Sequence, residues 1–579
     1  MPGVAVQTGN TVDLKKIEEN VAMHLFTMVE VEKLVEEKFE TPDLGRAFHL
    51  CRQEVALPSR EKLMTELLDR CFDKVKTRVD GFFKSGVVPV TLSLNVSAGS
   101  DKEVVVDYMA TLASSEKYPM FLESVKYPRN GDVDTIAEFA ARDAARVVEK
   151  LTCPVAGCVM PCSSPETRQA REQLEKQFPA MYFHGCLRAA LLSLVRQLFV
   201  PNHGASDTER KSSILVPFSQ DLQQFALQCQ DLVFFLPRIE TPSYLDNIVK
   251  SSKSMMHVTV RRRLTVEEAF AAILQSEPYL DADSVLNQLF STSSDGKSTG
   301  RSAHTHHPVG LGHLQTQLVK IVRSPQFGEK LRKYLEVLRP VHALLSSLDD
   351  GTSPAPLALS EVYYSFSKLA QQFTSSPLLQ PDEKAALQAL IRRQQESVLG
   401  PAHLLAHLLD PVMLGENFKP DTKSDVEEKL LSSYRADGCA LSDSEKEVLY
   451  AQYTDFKKSA LHQKTNKADT LMFRTLKERK KSPLQFWFTD GAKWPVLQAI
   501  ACRIFVMPVC AAWPVCAARE TYILLREKVN LLASNKLTFV RVNARQLNLA
   551  DADGSSLAAM VQAIQPESSA NDITASMVV

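Results

Sequence analysis

The chain has 579 residues, of which 45% are hydrophobic and 23% charged, the proportions of an ordinary soluble globular protein. Its formal net charge of -1 and sequence pI near 6.9 lack the basic excess that would by itself indicate nucleic-acid binding. At roughly 150 residues per domain, the length predicts three or four units, or one core with a large insertion.

The cysteine content and the apolar runs of the sequence indicate the cellular compartment of the protein. The 11 cysteines are odd in number, and the first twenty residues lack the basic segment and apolar run of a secretion signal. The longest apolar stretch, 495–515, is interrupted by Arg503, Pro508 and Pro514, so we expect no membrane span and no membrane partner. These features predict an intracellular protein, nuclear or cytoplasmic, with reduced thiols.

The first part of the chain changes from helical to strand-like periodicity. Apolar residues at helical spacing over 14–38 and 48–83 predict helices, the second with a typical start at Pro58. Strict alternation over Val90–Val96 predicts a strand, and two β-rich runs follow. Short connections favour an antiparallel meander of these three strands. The second and third strands are predicted at 104–112 and 120–127.

Helices and strands alternate after the meander. The patterns predict helices at 135–151, 164–178 and 186–199, with short strands at 155–160 and 181–183. Three strands followed by a crossover to a parallel strand is the order of the ribonuclease-H-like fold, and it predicts a mixed α/β core.

The remainder of the chain is mostly helical in pattern. The segment 291–312, rich in Ser, Gly, Thr and His, is the best candidate for a disordered loop, and 349–354 is a second loop. Residues from Asp551 onward form an acidic, Ala- and Ser-rich segment that we expect to be flexible. These observations predict five regions: an N-terminal helical region 1–85, the first part of the core 86–200, a helical insertion 201–430, a C-terminal region 431–550, and a tail 551–579.

Several segments, in order along most of the chain, resemble hAT-family transposases and transposon-derived proteins. The most specific is Pro401–Pro411 (PAHLLAHLLDP), which is similar to the family's Pro-Leu-His-x-x-Ala-x-x-Leu-x-Pro element. Weaker matches are Phe178-Pro179, 486–501 and 530–543. The resemblance implies a ribonuclease-H-like core interrupted by a large all-helical insertion, with a helical C-terminal region that forms a homodimer. It also favours a nuclear location.

The resemblance further implies three carboxylates that would hold two divalent metal ions for strand cleavage. The matching positions here are Asn95, Pro161 and Val515, none of which is a carboxylate. We therefore predict a protein that is not an enzyme, has no metal site or cofactor, and has no evident small-molecule substrate. One alternative is a decayed element or an interaction protein that reuses the scaffold. The other is an active transposase or nuclease, which requires shifted ligands: Asp101 or Asp107, Glu166 and Glu520.

Two groups of potential metal ligands have simpler explanations. His304, His306 and His307 lie in the Ser- and Gly-rich segment, where a solvated loop is the expected setting. The family's N-terminal zinc finger has no counterpart before Cys153. The remaining cysteine spacing lacks a Cys-x-x-Cys pair, so we favour small buried apolar residues over a zinc site: Cys153, Cys158, Cys162 and Cys186.

Two sets of residues are candidates for contacts with a binding partner. Basic clusters could contact phosphates of a nucleic acid, although a charged loop or solvated helix face is the commoner explanation: Arg261, Arg262, Arg263, Lys477, Arg479, Lys480 and Lys481. A C-terminal set could form an intersubunit face or the internal core, and the resemblance favours a mixture of both: Trp487, Trp494, Pro495, Leu497, Ile500, Ile504, Leu531, Leu537, Phe539 and Asn543.

Overall fold

The computed structural model divides the chain into two compact units. The first comprises Met1–Phe183, Glu428–Ser459 and Ser482–Val579, and the second His184–Glu427 and Ala460–Lys481. The structure describes these residues: 14–27, 58–84, 89–98, 103–112, 119–128, 133–151, 153–162, 165–199, 214, 216–235, 264–281, 311–348, 357–435, 438–465, 471–478, 480–511 and 531–552.

The first unit contains a sheet with helices on both faces. Its strands are β1 Val90–Ala98, β2 Glu103–Leu112, β3 Met120–Pro128, β4 Val155–Met160 and β5 Tyr182–Gly185, the last of which crosses the unit boundary. The helices that pack on this sheet are α1 Leu14–Thr27, α2 Leu68–Lys84 (preceded by helical turns from Arg60), α3 Val133–Lys150, α4 Pro165–Gln177 and α18 Leu531–Ala552.

The sheet is mixed, with the strand order β3-β2-β1-β4-β5. β1 pairs antiparallel with β2, β2 pairs antiparallel with β3, and β1 pairs parallel with β4. The predicted mixed α/β class, the meander and the alternation of helices and strands after it are therefore confirmed.

Both faces of the sheet are covered because its strands carry apolar residues on both sides. On one face, Leu92 and Leu94 pack with Ala144 of α3 and Leu174 of α4. The opposite core is built around the helix α18, where every residue from Leu537 to Ala544 is buried. A helix that is buried all round must lie inside the fold. Other members of this second core are Phe26 of α1, Val75 and Val79 of α2, and Val90, Met109 and Phe121 of the sheet.

Gly157 allows β4 to approach its neighbours closely. A Cβ atom at this position would lie 2.1 Å from the backbone oxygen of Tyr182 and 2.5 Å from Cε of Met507. Both distances are far below van der Waals contact, so the sheet requires glycine here.

The C-terminal part of the first unit is helical. Helix α16 Pro483–Thr489 is followed by a 3-10 turn at Asp490–Lys493 and by α17 Pro495–Phe505. A capping box at Ser482 and Gln485, with proline in the first turn, begins α16. The predicted helical C-terminal region is thus present in the described residues.

The second unit is a set of helices. In chain order they are α5 Leu187–Phe199, α6 Ser219–Phe235, α7 Val266–Gln275, α8 Leu311–Val322, α9 Pro325–Ser347, α10 Glu361–Ser375, α11 Pro381–Val398, α12 Pro401–Leu409 and α15 Leu471–Lys477. Helices α13 Pro420–Leu431 and α14 Asp443–Thr465 contribute residues to both units. None of the helices in the described ranges is long and apolar enough to cross a membrane.

Some predicted segments fall where the structure describes nothing. Residues 28–57, 291–310, 349–354 and 553–579 lie outside the described residues. The predicted loop 291–312 was wrong at its end, because Leu311 already begins α8.

Candidate functional site at the carboxyl ends of β1 and β4

The two described positions matched to metal ligands lie on neighbouring strands. The parallel register pairs Leu92 with Cys158 and Ser93 with Val159. Continuing this register by two residues places Asn95 beside Pro161, which directly follows β4. Neighbouring strands are about 4.8 Å apart, so two ligands at these positions could share one ion. The matched position Val515 lies outside the described residues.

Neither side chain supplies a carboxylate. Asn95 is half-buried, and its Nδ2 group lies 3.8 Å from Sδ of Met109, at the edge of hydrogen-bonding distance. Pro161 is half-buried and has no polar side-chain atom. Divalent cations such as Mg²⁺ require oxygen ligands, so this pair offers at most one uncharged amide oxygen.

Asp107 is the one shifted ligand that the structure describes next to the matched positions. The antiparallel register places Asp107 directly opposite Asn95. Residues paired in this way project from the same face of a sheet. The Asp107 side chain is buried, with 2% exposure, and its Oδ1 accepts a hydrogen bond from the hydroxyl of Ser124. A carboxylate therefore lies next to the site, although it already accepts a hydrogen bond from Ser124 of the neighbouring strand β3.

The other shifted ligands do not complete a metal site. Asp101 and Glu520 lie outside the described residues, and Glu166 lies in the first turn of α4 with its side chain undescribed. Within the part of the chain that the structure describes, no three His, Cys, Asp or Glu side chains converge as metal ligands.

Helix α18 covers this face by binding the edge strand β3. Asn543 accepts a hydrogen bond from the backbone N–H of Phe121 (2.8 Å) and donates one to the Phe121 carbonyl (2.8 Å). Asn535 makes the same pair of bonds to Ser124, at 3.2 and 2.9 Å. These two amides occupy the backbone groups that an additional strand would otherwise bind. Helix α18 also carries Arg541, a buried cation with 3% exposure.

The opposite face of the sheet carries a chain of polar contacts. The hydroxyls of Tyr108 and Tyr127 lie 3.0 Å apart, and the Tyr127 hydroxyl donates to Asp143 at 3.0 Å. Arg146 then binds both Asp143 and Glu123. Burial raises the pKa of Tyr108 and Tyr127 far above the ordinary value. These acidic groups are occupied in structural contacts and do not face Asn95.

The predicted cysteine set is divided between different cores in the described residues. Cys153 packs in the core beneath α18, whereas Cys158 and Cys162 pack in the core beneath α3 and α4. Cys186 is buried in the second unit. Burial raises the pKa of Cys153 to about 11 and that of Cys158 still higher, so both thiols stay protonated at neutral pH. This arrangement agrees with small buried apolar residues.

Most of the predicted C-terminal set lies in the internal core of the first unit. The rings of Trp487 and Trp494 have their centroids 4.9 and 5.2 Å from that of Phe456, and Trp494 donates to Asp455 at 2.9 Å. The buried members have the setting of the internal-core alternative, and an intersubunit role for the set stays a prediction: Trp487, Trp494, Leu497, Ile500, Ile504, Leu537, Phe539 and Asn543. In the same set, Pro495 is exposed and Leu531 half-buried.

Three of the predicted phosphate-contacting residues are described, and one of them forms an ion pair with a neighbouring carboxylate. Lys477 and Lys480 are exposed and Lys481 is half-buried. The ammonium group of Lys480 lies 2.7 Å from a carboxylate oxygen of Glu478, a neighbour that would repel a phosphate. The other predicted phosphate contacts lie outside the described residues: Arg261, Arg262, Arg263 and Arg479.

The sequence patterns did not predict a structural role for Arg503. It appears in the sequence only as an interruption of an apolar run, yet it is buried. Its guanidinium donates to the carbonyls of Tyr434 (2.7 Å), Arg435 (2.9 Å) and Ala180 (2.6 Å). This side chain therefore ties α17 to the segment before β5 and to the segment after α13.

Comparison with protein-family models and with curated proteins gives no match for this chain. The resemblance to hAT transposases consequently rests on sequence segments such as Pro401–Pro411.

Proposed function

We propose that this chain is a transposon-derived protein whose ribonuclease-H-like core no longer cleaves nucleic acid and instead acts as a binding scaffold. The strand order β3-β2-β1-β4-β5, with β1 parallel to β4, supports the ribonuclease-H-like assignment. The helices on both faces of the sheet and the inserted helical unit agree with it.

One observation carries the non-enzymatic part. Asn95 and, on the continued register of β1 and β4, Pro161 hold the positions where the resemblance implies anionic oxygen ligands for two-metal cleavage. An amide and a proline leave the charge of two divalent ions uncompensated. Asp107 provides one carboxylate next to them, but it is bonded to Ser124 beneath the helix α18.

The experiment is a strand-cleavage assay on the full chain with Mg²⁺ or Mn²⁺, using single- and double-stranded DNA. The proposal expects no metal-dependent cleavage above that of a heat-inactivated sample. Cleavage by the natural chain that is abolished in Asp107→Asn would overturn it. Asp69→Asn is the matched control, because Asp69 is an exposed carboxylate that pairs with Lys536 on the surface.

The position of Asp107 is also the observation that favours the second candidate, an active nuclease with a displaced ligand. The same assay distinguishes the two functions, since only the nuclease depends on both the metal and Asp107.

The scaffold role includes a homodimer and nuclear binding to DNA or chromatin, both drawn from the resemblance. Because most of the predicted dimer face is buried, we expect other surfaces to contribute to the dimer. Light scattering at micromolar concentration tests this part: twice the chain mass of 64.5 kDa supports it, and a strict monomer contradicts it.

A further inference from the structure

The segment that follows α12 in the second unit adopts an unusual backbone. Residues 411–417 form a turn in which Leu414, Gly415 and Asn417 have φ angles of 51°, 69° and 69°. Glycine and asparagine adopt this left-handed region readily, whereas leucine does so rarely. Tertiary contacts must therefore hold the turn in place.

His407 supplies two of those contacts. Its ring is fully buried, with Nδ1 2.8 Å from the carbonyl oxygen of Ser360 and Nε2 2.7 Å from the carbonyl oxygen of Glu416. A backbone carbonyl can only accept a hydrogen bond. Only an imidazolium, in which both ring nitrogens donate, satisfies both contacts.

Asp410 provides the matching negative charge. It is buried, its Oδ2 accepts the Ser360 hydroxyl at 2.6 Å, and its Oδ1 accepts the backbone N–H groups of Val412 (2.8 Å) and Met413 (3.3 Å). Burial raises the pKa of Asp410 above its ordinary value, and these hydrogen bonds and the charge of His407 offset only part of that rise. Three donors on its two oxygens match an ionised carboxylate.

We propose that His407 and Asp410 form a buried imidazolium–carboxylate latch that fixes the 411–417 turn against Ser360, and that loss of one ring proton releases the turn. A neutral ring would direct a nitrogen lone pair at a carbonyl oxygen 2.7 or 2.8 Å away, a repulsive contact. The latch is closed when His407 is protonated and Asp410 ionised. It opens when His407 loses a ring proton or when Asp410 gains a proton.

The neighbouring charged and titratable groups make contacts other than those of the His407–Asp410 latch. From α14, Lys464 binds the Glu416 carboxylate at 2.9 Å and the Val412 carbonyl at 3.1 Å, at the surface of the turn. From α10 and the residues before it, Glu361 accepts from the N–H of Ala358, and Tyr363 presents a neutral ring 5.3 Å from His407. On α12 itself, His403 is buried one turn earlier.

The protonation state is tested by NMR of the full chain labelled with ¹⁵N-histidine, with the His407 signals assigned by their loss in His407→Gln. Both ring nitrogens of an imidazolium resonate close together, whereas those of a neutral ring are widely separated. The proposal expects the imidazolium pattern at pH 7. A neutral pattern at pH 7 would overturn it, whether or not any variant folds.

Hydrogen exchange tests the release of the turn. In His407→Gln, whose amide offers one donor and one acceptor group like a neutral ring, exchange over 411–418 should rise roughly 10- to 100-fold, as expected for a lost charge-assisted hydrogen bond. His462→Gln is the control, because His462 is exposed on the last turn of α14. Unchanged exchange in His407→Gln would contradict the latch.

Discussion

Asn543→Ala is expected to destabilise the first unit by about 2–6 kcal/mol, because it leaves two buried backbone groups without partners at about 1–3 kcal/mol each. The Asn543 side chain is fully buried, and its amide satisfies both the N–H and the carbonyl of Phe121. Removing the amide also leaves a small cavity beneath α18, which adds to the loss.

Asn535→Ala is the matched comparison. Asn535 makes the same pair of bonds to Ser124 but is only half-buried, so water can replace its amide. We expect a loss of about 1 kcal/mol, the usual net value of a solvent-accessible hydrogen bond. The measurement is the urea unfolding transition followed by tryptophan fluorescence, since Trp487 and Trp494 report on the first unit. A loss in Asn543→Ala no larger than that in Asn535→Ala would refute the docking account of α18.

Three further predictions concern the stability and the thiol reactivity of the first unit. Gly157→Ala should cost about 1–3 kcal/mol or prevent folding, because its methyl group overlaps the Tyr182 carbonyl, and thermal unfolding measures this. Arg503→Met should lower the melting temperature by several degrees, since three carbonyls lose their shared buried donor; a variant as stable as the natural chain would contradict this role. In the folded chain, iodoacetamide should modify the exposed Cys439 well before Cys158, whose pKa is raised by burial, and mass spectrometry of peptides would reveal the reverse order.

Much of the first unit could be predicted because its periodicity is strong. The alternation over Val90–Val96 and the apolar run Val155–Met160 correspond to β1 and β4 within a few residues. The pairing of β1 with β4 agrees with the predicted crossover to a parallel strand.

Features set by contacts distant in sequence could not be predicted. The position of Asp107 opposite Asn95 depends on strand register, which a spacing of twelve residues does not specify. Apolar residues such as Trp487 have the same composition in a core and in an interface, so only the packed structure separates the two. His407 meets a carbonyl 47 residues earlier, and no local pattern indicates that pairing.

We propose that the carboxyl ends of β1 and β4 do not bind catalytic metal ions. The most direct measurement is calorimetric titration of Mn²⁺ into the full natural chain, beside an Asn95→Asp, Pro161→Asp double variant. We predict no saturable micromolar binding to the natural chain and a gain of binding in the variant, because two carboxylates would then flank one ion. Saturable binding to the natural chain that is lost in Asp107→Asn would contradict the account.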